Sequence, residues 1–378
     1  MKRTSLVVLI VCACFVSVAW AQQPAGTCTN NWTEFHRPNM ERWNPCEKVL
    51  NVKNVGSLSL KWRHKISSIL FSSSSPAVVN GVVYVGSTDE NVYALNASTG
   101  AKLWIYAAVA EVCSSPAVMN GVVYVGSDDY NVYALSAGTG AKLWSFPTGY
   151  YIYSSPAVVN GVVYVGSFDH NVYALNASTG AKLWSYTTGG VVYSAPAVAN
   201  GVVYVGSEDG KMYALNAKTG AQLWSYTTGG YIDSSPAVAN GVAYVGSDDK
   251  NVYALNASTG AKLWSYTTGS YVISSPAVAN GVVYVGSEDG KMYALNASTG
   301  AKLWSYATGG AVYSSPAVAN GVVYIGTDNG IVALNAKTGA TLWSYDLNNG
   351  TESSPVVANG VVYIGSNASY VYAFGLSE

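Results

Sequence analysis

The sequence predicts an all-β fold: an eight-bladed β-propeller of four-stranded antiparallel blades, closed by pairing an N-terminal strand with the C-terminal blade. Three observations carry that expectation. One unit of about 40 residues recurs along most of the chain. Each copy holds four short β-branched runs separated by turn residues. The last copy lacks its fourth run, and a run of that type stands alone ahead of the first copy.

The unit reads S-S-P-A-V-x-N-G-V-V-Y-V-G-S-x-D-x-x-V-Y-A-L-N-A-x-T-G-A-x-L-W-S-Y. Its proline falls at Pro76, Pro116, Pro156, Pro196, Pro236, Pro276, Pro316 and Pro355, spaced by 40 residues six times and 39 once. The short interval is a deletion in the seventh unit, at Thr327-Asp328-Asn329-Gly330-Ile331-Val332. Run A is P-A-V and run B is V-V-Y-V-G. The Asn-Gly between them accepts the two positive φ angles of a type I′ hairpin turn. Run C is V-Y-A-L and run D is K-L-W-S-Y. The N-A-x-T-G that joins them ends in a glycine able to turn left-handed. Helical repeats of similar period do not fit runs this short, this β-branched and this rich in glycine.

Strand counting closes the ring. Seven A-B-C sets are followed by their own D run, holding Trp104, Trp144, Trp184, Trp224, Trp264, Trp304 and Trp343. The eighth is followed only by Gly375-Leu376-Ser377-Glu378, and its missing partner is the isolated run Leu58 to His64, with Trp62. Pairing the two ends removes two exposed sheet edges at once. The tryptophans, one per outer strand, are expected to pack between blades and to take no part in chemistry.

Composition narrows the class. The chain is 49% hydrophobic and only 10% charged, against about 25% charged for an average soluble domain. Its apolar residues nevertheless come in short alternating runs, which excludes a polytopic membrane protein. Eleven Trp and 30 Tyr exclude disorder. A formal charge of −1 leaves no basic field for nucleic acid and no polybasic patch for a lipid surface. Lys2 and Arg3, the apolar Leu6 to Val18 and then Ala19-Trp20-Ala21 have the layout of a secretory signal peptide. Residues 1–21 are therefore expected to be a signal cleaved near Ala21, which puts the protein outside the cytoplasm, in the periplasm or secreted. A retained anchor and a lipoprotein signal at Cys12 or Cys14 are the competing readings. Residues 22–57 form a leader, and 58–378 the propeller. Cys28 and Cys46 could close a loop in an oxidising compartment, or remain two buried thiols. Cys113 is expected to be a small buried thiol, with no histidine near it in sequence. No further transmembrane span is expected, and a monomer is.

The A-L-N-A-x-T-G-A-x-L-W signature, with S-P-A-V and V-Y-V-G-S, resembles the quinoprotein-type (PQQ-like) propeller repeat over residues 58 to 374. The leader Trp32-Thr33-Glu34-Phe35-His36-Arg37-Pro38-Asn39, with Asn54-Val55 and Leu60-Lys61-Trp62, is similar to the opening segment of such proteins. That family implies an eight-bladed, extracytoplasmic propeller. It includes alcohol dehydrogenases dependent on pyrroloquinoline quinone and calcium. It also includes non-catalytic members, among them the propeller lipoprotein of the outer-membrane protein assembly machine. Fold alone does not choose between them.

The eight copies can be aligned with one another. Positions identical in all copies serve the fold, so a single asymmetric site must use those that differ. A-B and C-D turns share one rim and are nearly uniform; B-C and D-A connections share the other and carry the variation. Of 30 tyrosines, 21 occupy repeated strand positions. The other nine are Tyr130, Tyr150, Tyr151, Tyr153, Tyr193, Tyr231, Tyr271, Tyr313 and Tyr370, all assigned to the variable rim, with Phe71 and Phe168. Aromatic platforms with a hydroxyl suit sugar-like ligands or a partner's side chains; some of these rings could equally pack on a neighbouring blade. The third residue before each proline, in order Ser73, Cys113, Tyr153, Tyr193, Asp233, Ile273, Tyr313 and Glu352, should ring the mouth of the central channel. Its two acids, Asp233 and Glu352, lie three blades apart and could hold a cation or a basic partner group.

A catalytic site is not expected. The quinoprotein enzymes use long loop insertions, a vicinal Cys-Cys and a cation beside the quinone; here the loops are minimal, no vicinal pair exists and the column holds no Lys or Arg. His36, His64 and His170 do not cluster in sequence. No metal and no cofactor is therefore expected. The first reading is an exported, non-catalytic module that binds a protein, peptide or glycan through the D-A/B-C face. The candidates are Phe71, Tyr150, Tyr151, Tyr153, Tyr193, Tyr231, Asp233, Tyr271, Tyr313 and Glu352. The alternative is a small alcohol or sugar oxidoreductase dependent on pyrroloquinoline quinone and calcium.

Overall fold

The computed structural model describes residues 30–36, 41–66 and 74–377. Repeat chemistry appears directly as geometry. In the first blade the strands run Ala77–Val79 (A), Val82–Gly86 (B), Asn91–Asn96 (C) and Lys102–Ala107 (D), paired in sequence order. Asn80 at φ 50° and Gly81 at φ 78° form the A-B turn, as the type I′ signature requires. The same meander recurs to give eight sheets. The deletion in the seventh blade shortens its B-C connection, so that Thr327 pairs directly with Gly330.

The ring closes by strand exchange between the chain's ends. The strand Leu58–Lys65 pairs antiparallel with Tyr370–Leu376 and supplies strand D of the eighth blade. Every blade tryptophan reaches onto its neighbour: Trp62 Nε1 donates to Ala97 O at 2.9 Å, Trp104 Nε1 to Ala137 O at 2.8 Å, and Trp343 Nε1 back to Leu58 O at 3.0 Å. The indole also lies over the C-D turn glycine, where a Cβ on Gly100 would sit 2.6 Å from Trp62. These tryptophans are inter-blade packing, as expected.

A hydroxyl girdle ties the inner ends of the blades. The amide of Ser75 donates to Ser115 Oγ, that of Ser115 to Ser155 Oγ, and so round to Ser354, whose amide donates to Ser75 Oγ at 2.9 Å. It breaks once, because Ala195 has no hydroxyl to offer the Ser155 amide.

The leader does not simply precede the propeller; it runs through the central channel. Trp32 exchanges two backbone hydrogen bonds with Val78 of the first inner strand, both 2.7 Å. The next two inner strands donate from Val118 N to Thr33 O and from Val158 N to Glu34 Oε2. On the far side Val278 N donates to Glu41 O, and Val318 N to Arg42 O. Trp43–Asn44 then adds a parallel fifth strand to the seventh blade, and Glu47 Oε2 accepts from Gly360 N in the eighth. Inner strands have one free edge facing the axis, and the leader satisfies their backbone groups in ring order.

Arg42 is the hub of this plug. It is fully buried, and its guanidinium donates to the carbonyls of Phe35, Pro316 and Pro355. Burial lowers its pKa to about 9. His36, buried beside it, is lowered to about 3 by desolvation first and the Arg42 charge second. Glu34 is raised to about 7 by desolvation. Cys46 is one half of a disulfide; Cys28, the signal residues 1–21 and Phe71 lie outside the described residues. Among the described residues no helix is long and apolar enough to cross a membrane.

Candidate functional site: the mouth of the central channel

The leader divides the channel into two cavities. On the D-A/B-C rim lies a mouth of about 320 Å³, floored by Phe35 and walled by the girdle serines. The predicted column rings it: Cys113, Tyr153, Tyr193, Asp233, Ile273, Tyr313 and Glu352 all line this cavity, while Ser73 lies outside the described residues. Each precedes an inner strand by the same number of residues, so the fold brings side chains 40 positions apart into one circle. On the opposite rim a cavity of about 600 Å³ is lined by Glu34 and the hairpins of the second to fourth blades.

A run of aromatic rings leads into the mouth. Tyr193 lies 5.7 Å from Tyr153 between ring centroids, Tyr153 lies 4.8 Å from Phe168 and 6.3 Å from Tyr151. Tyr151 meets Tyr150 at 4.4 Å, and Tyr150 stacks on Tyr130 at 5.4 Å with planes 16° apart. Tyr130, Tyr150 and Tyr193 are exposed. The fold thus gathers five of the nine non-repeated tyrosines, and Phe168, into one continuous surface on the second to fourth blades. Tyr313 stands across the mouth beside Glu288 and Glu352. Tyr231 and Tyr271 are exposed but have no ring against them among the described residues. Tyr370 departs from expectation. It opens the C strand of the eighth blade, opposite Lys65, with the Arg63 guanidinium 5.1 Å from its ring centre. Its single-copy status reflects ring closure.

The mouth is acidic beyond its two predicted carboxylates. The first residue of five of the eight B-C turns adds a second tier: Asp128, Glu208, Asp248, Glu288 and Asp328. Asp233 is pushed up to about 7, by desolvation first and then by Asp248 and Glu208. Asp248 and Asp128 rise to about 6, each mainly by desolvation. Glu352 rises for the same reason, with Asp328 adding to it. Sequence reasoning missed this tier because the B-C turns of the first six blades also carry a repeated Asp that serves the fold. Asp169 shows that role: Oδ2 accepts from Tyr173 OH and from Gly149 N of the preceding blade, both at 2.6 Å. The variable residue just before it was the available signal.

Cys113, expected as a small buried thiol, is half-buried at the mouth. Burial is incomplete because its strand lead-in opens onto the cavity. Its sulfur and carboxylate oxygens of Glu111 and Asp128 lie within 4.8 Å of one another, a set able to hold a metal ion.

Residues 56–151, 149–231 and 227–378 match the family profile described as outer membrane protein assembly factor BamB. Among solved structures, BamB from Moraxella catarrhalis superposes with a TM-score of 0.73 at 21% identity, covering 85% of this chain and 98% of that one. The quinohemoprotein alcohol dehydrogenase from Comamonas testosteroni gives 0.80 at 17% identity, covering 93% and 82%. These two likenesses concern the fold. The dehydrogenase subunit of the quinone alcohol dehydrogenase from Gluconobacter oxydans is 33% identical over 101 residues, which is 24% of this chain and 13% of that protein. This chain therefore matches only a small part of that relative. The repeat geometry and the near-complete profile match agree: the chain belongs to the PQQ-like propeller family described as outer membrane protein assembly factor BamB.

Proposed function

We propose that this protein is an exported binding module whose working surface is the channel mouth and the aromatic rings leading to it. The single observation that carries this reading is the gathering of five non-repeated tyrosines and Phe168 into one connected surface on one rim. A repeat built only for stability has no reason to concentrate its exceptions there, and exposed aromatic surface of this kind is a common feature of interaction sites. The N-terminal signal pattern supports action outside the cytoplasm.

The quinone alternative fits the mouth poorly. Pyrroloquinoline quinone carries three carboxylates, and the described lining of the mouth holds Asp233 and Glu352 with no Lys or Arg. Two carboxylates at the mouth facing a tricarboxylate repel it, and a divalent cation offsets only part of that charge. We therefore derive no redox step.

Site-specific photo-crosslinking in the producing cell tests the reading. A benzoylphenylalanine at Tyr151 should give a discrete adduct, and one at Asn280 on the uniform rim should not. The Tyr153→Ser/Tyr193→Ser variant should fold and lose the adduct. Adducts from Asn280 alone would move the working surface to the other rim. Incubation with the quinone and calcium chloride, followed by a dye-linked alcohol assay, should show no activity; turnover would restore the enzymatic reading.

A further inference from the structure

This inference rests on the binding reading above and names the chemistry of the ligand. We propose that the mouth receives an extended basic peptide segment, which lies along the tyrosine ladder and places one lysine or arginine side chain between Asp233 and Glu352.

Charge complementarity sets the sign. The described lining offers two carboxylates and three tyrosines and no base. Oδ1 atoms of Asp233, Asp128 and Asp248 are buried without a hydrogen-bond partner. Unpaired buried acceptors are costly and uncommon, and a cationic side chain entering the mouth supplies the charge these groups lack. Crowding reinforces the point. Asp233 faces Asp248, Glu208 and Tyr193; Glu352 faces Asp328, Tyr313 and Tyr193; Asp128 faces Glu111, Asp129, Tyr153 and Tyr193. Two bases on this rim are engaged elsewhere: Lys211 and Lys291 pair with the fold aspartates Asp209 and Asp289, both at 3.7 Å. His170, which acts on Glu208, and Lys250 sit in the B-C turns of the third and fifth blades, outside the lining of the mouth.

The shape of the site selects a side chain over a bare ion. Calcium needs about six to eight oxygens converging at about 2.3–2.6 Å, whereas Asp233 and Glu352 enter from blades three apart. Between them stand tyrosine faces and the apolar floor of Phe35. Such a lining suits a cation carried on an apolar stem, whose methylenes lie on rings while its charge meets carboxylates.

The ladder selects a chain over a small amine. From Tyr193 through Tyr153, Tyr151 and Tyr150 to Tyr130 the ring centres step by 5.7, 6.3, 4.4 and 5.4 Å. At about 3.3 Å per extended residue, this contour of roughly 20 Å accommodates about six residues.

The test titrates full-length mature protein with dye-labelled hexapeptides of otherwise uncharged sequence, carrying arginine, citrulline or glutamate at the centre. EDTA is present throughout, so a metal held by Glu111, Cys113 and Asp128 does not contribute. The arginine peptide should bind at least tenfold more tightly than its neutral citrulline isostere, and the glutamate peptide should not bind. Asp233→Asn with Glu352→Gln should erase the arginine preference, and Tyr151→Ser should weaken both arginine and citrulline peptides. Lowering the pH from 8 to 5 protonates Asp233, whose pKa is raised to about 7, and should weaken the preference. Equal arginine and citrulline affinities, with sensitivity to Tyr151→Ser, would overturn the basic ligand and leave the binding face standing. Absence of arginine-peptide binding at millimolar concentration would overturn the proposal. Spermine binding as tightly as the arginine peptide would overturn the extended chain. Arginine binding untouched by every one of these substitutions would overturn the face itself.

Discussion

Replacing Asp233 by Asn should stabilise the protein, and only where the carboxylate is charged. Its pKa rises from 3.8 to about 7 on folding, so the folded state holds the proton more tightly than the unfolded chain. The resulting destabilisation is absent below about pH 4, grows between pH 4 and 7, and is complete above that window. At ~1.36 kcal/mol per pH unit the ceiling is about 4 kcal/mol. The protonated carboxyl and the amide both leave the Oδ1 position unpartnered, so that cost cancels between wild type and variant at pH 4. A gain of up to about 4 kcal/mol follows at pH 8, or roughly 6 °C in Tm at about 2.1 cal/mol/K of unfolding entropy per residue. Differential scanning calorimetry of wild type and variant at pH 4 and pH 8 reads it directly. The Tm values should coincide at pH 4 and separate at pH 8, with the variant higher. A variant that melts lower at pH 8, or that shifts equally at both pH values, would refute the picture of a charge held at a cost. A stabilising substitution at a mouth position is also the signature of a residue kept for a ligand.

Three further outcomes follow from the packing. His64→Pro breaks the closing strand opposite Val371 while sparing the leader, and should abolish the single cooperative transition in calorimetry, as should a chain beginning after Ile66; unchanged melting would defeat the closure. Ala195→Ser completes the girdle at the Ser155 amide and should add about 1 kcal/mol in urea titration; a loss would mean the hydroxyl has no room. Arg42→Met strips the donors from three buried carbonyls and should cost about 3 kcal/mol or more, seen as a lower urea midpoint, and a neutral result would remove Arg42 from its place at the centre of the plug.

Repetition made the blades legible, and its failures made the mouth legible. An Asn-Gly pair, a β-branched run and a tryptophan mean little once; eight copies in phase leave one architecture that satisfies them all. The same alignment exposed Asp233 and Glu352 as exceptions in an otherwise repeated lead-in. The leader had no such help. Its grip on the propeller is made largely with backbone groups, Val118 N to Thr33 O and Val318 N to Arg42 O among them, and backbone pairing leaves no mark on residue identity. Nothing in the sequence sets Arg42 and Glu47 apart from other charges, yet both are buried because carbonyls and amides around the axis pair with them. Accounting for the inner strands would have found the plug. Each A strand pairs with B on one edge only, so the axis collects open edges that must meet water or another chain segment. The segment on hand was the leader. Its passage puts Phe35 beneath the mouth, so a single-copy segment also sets the depth of the site that the repeats encircle.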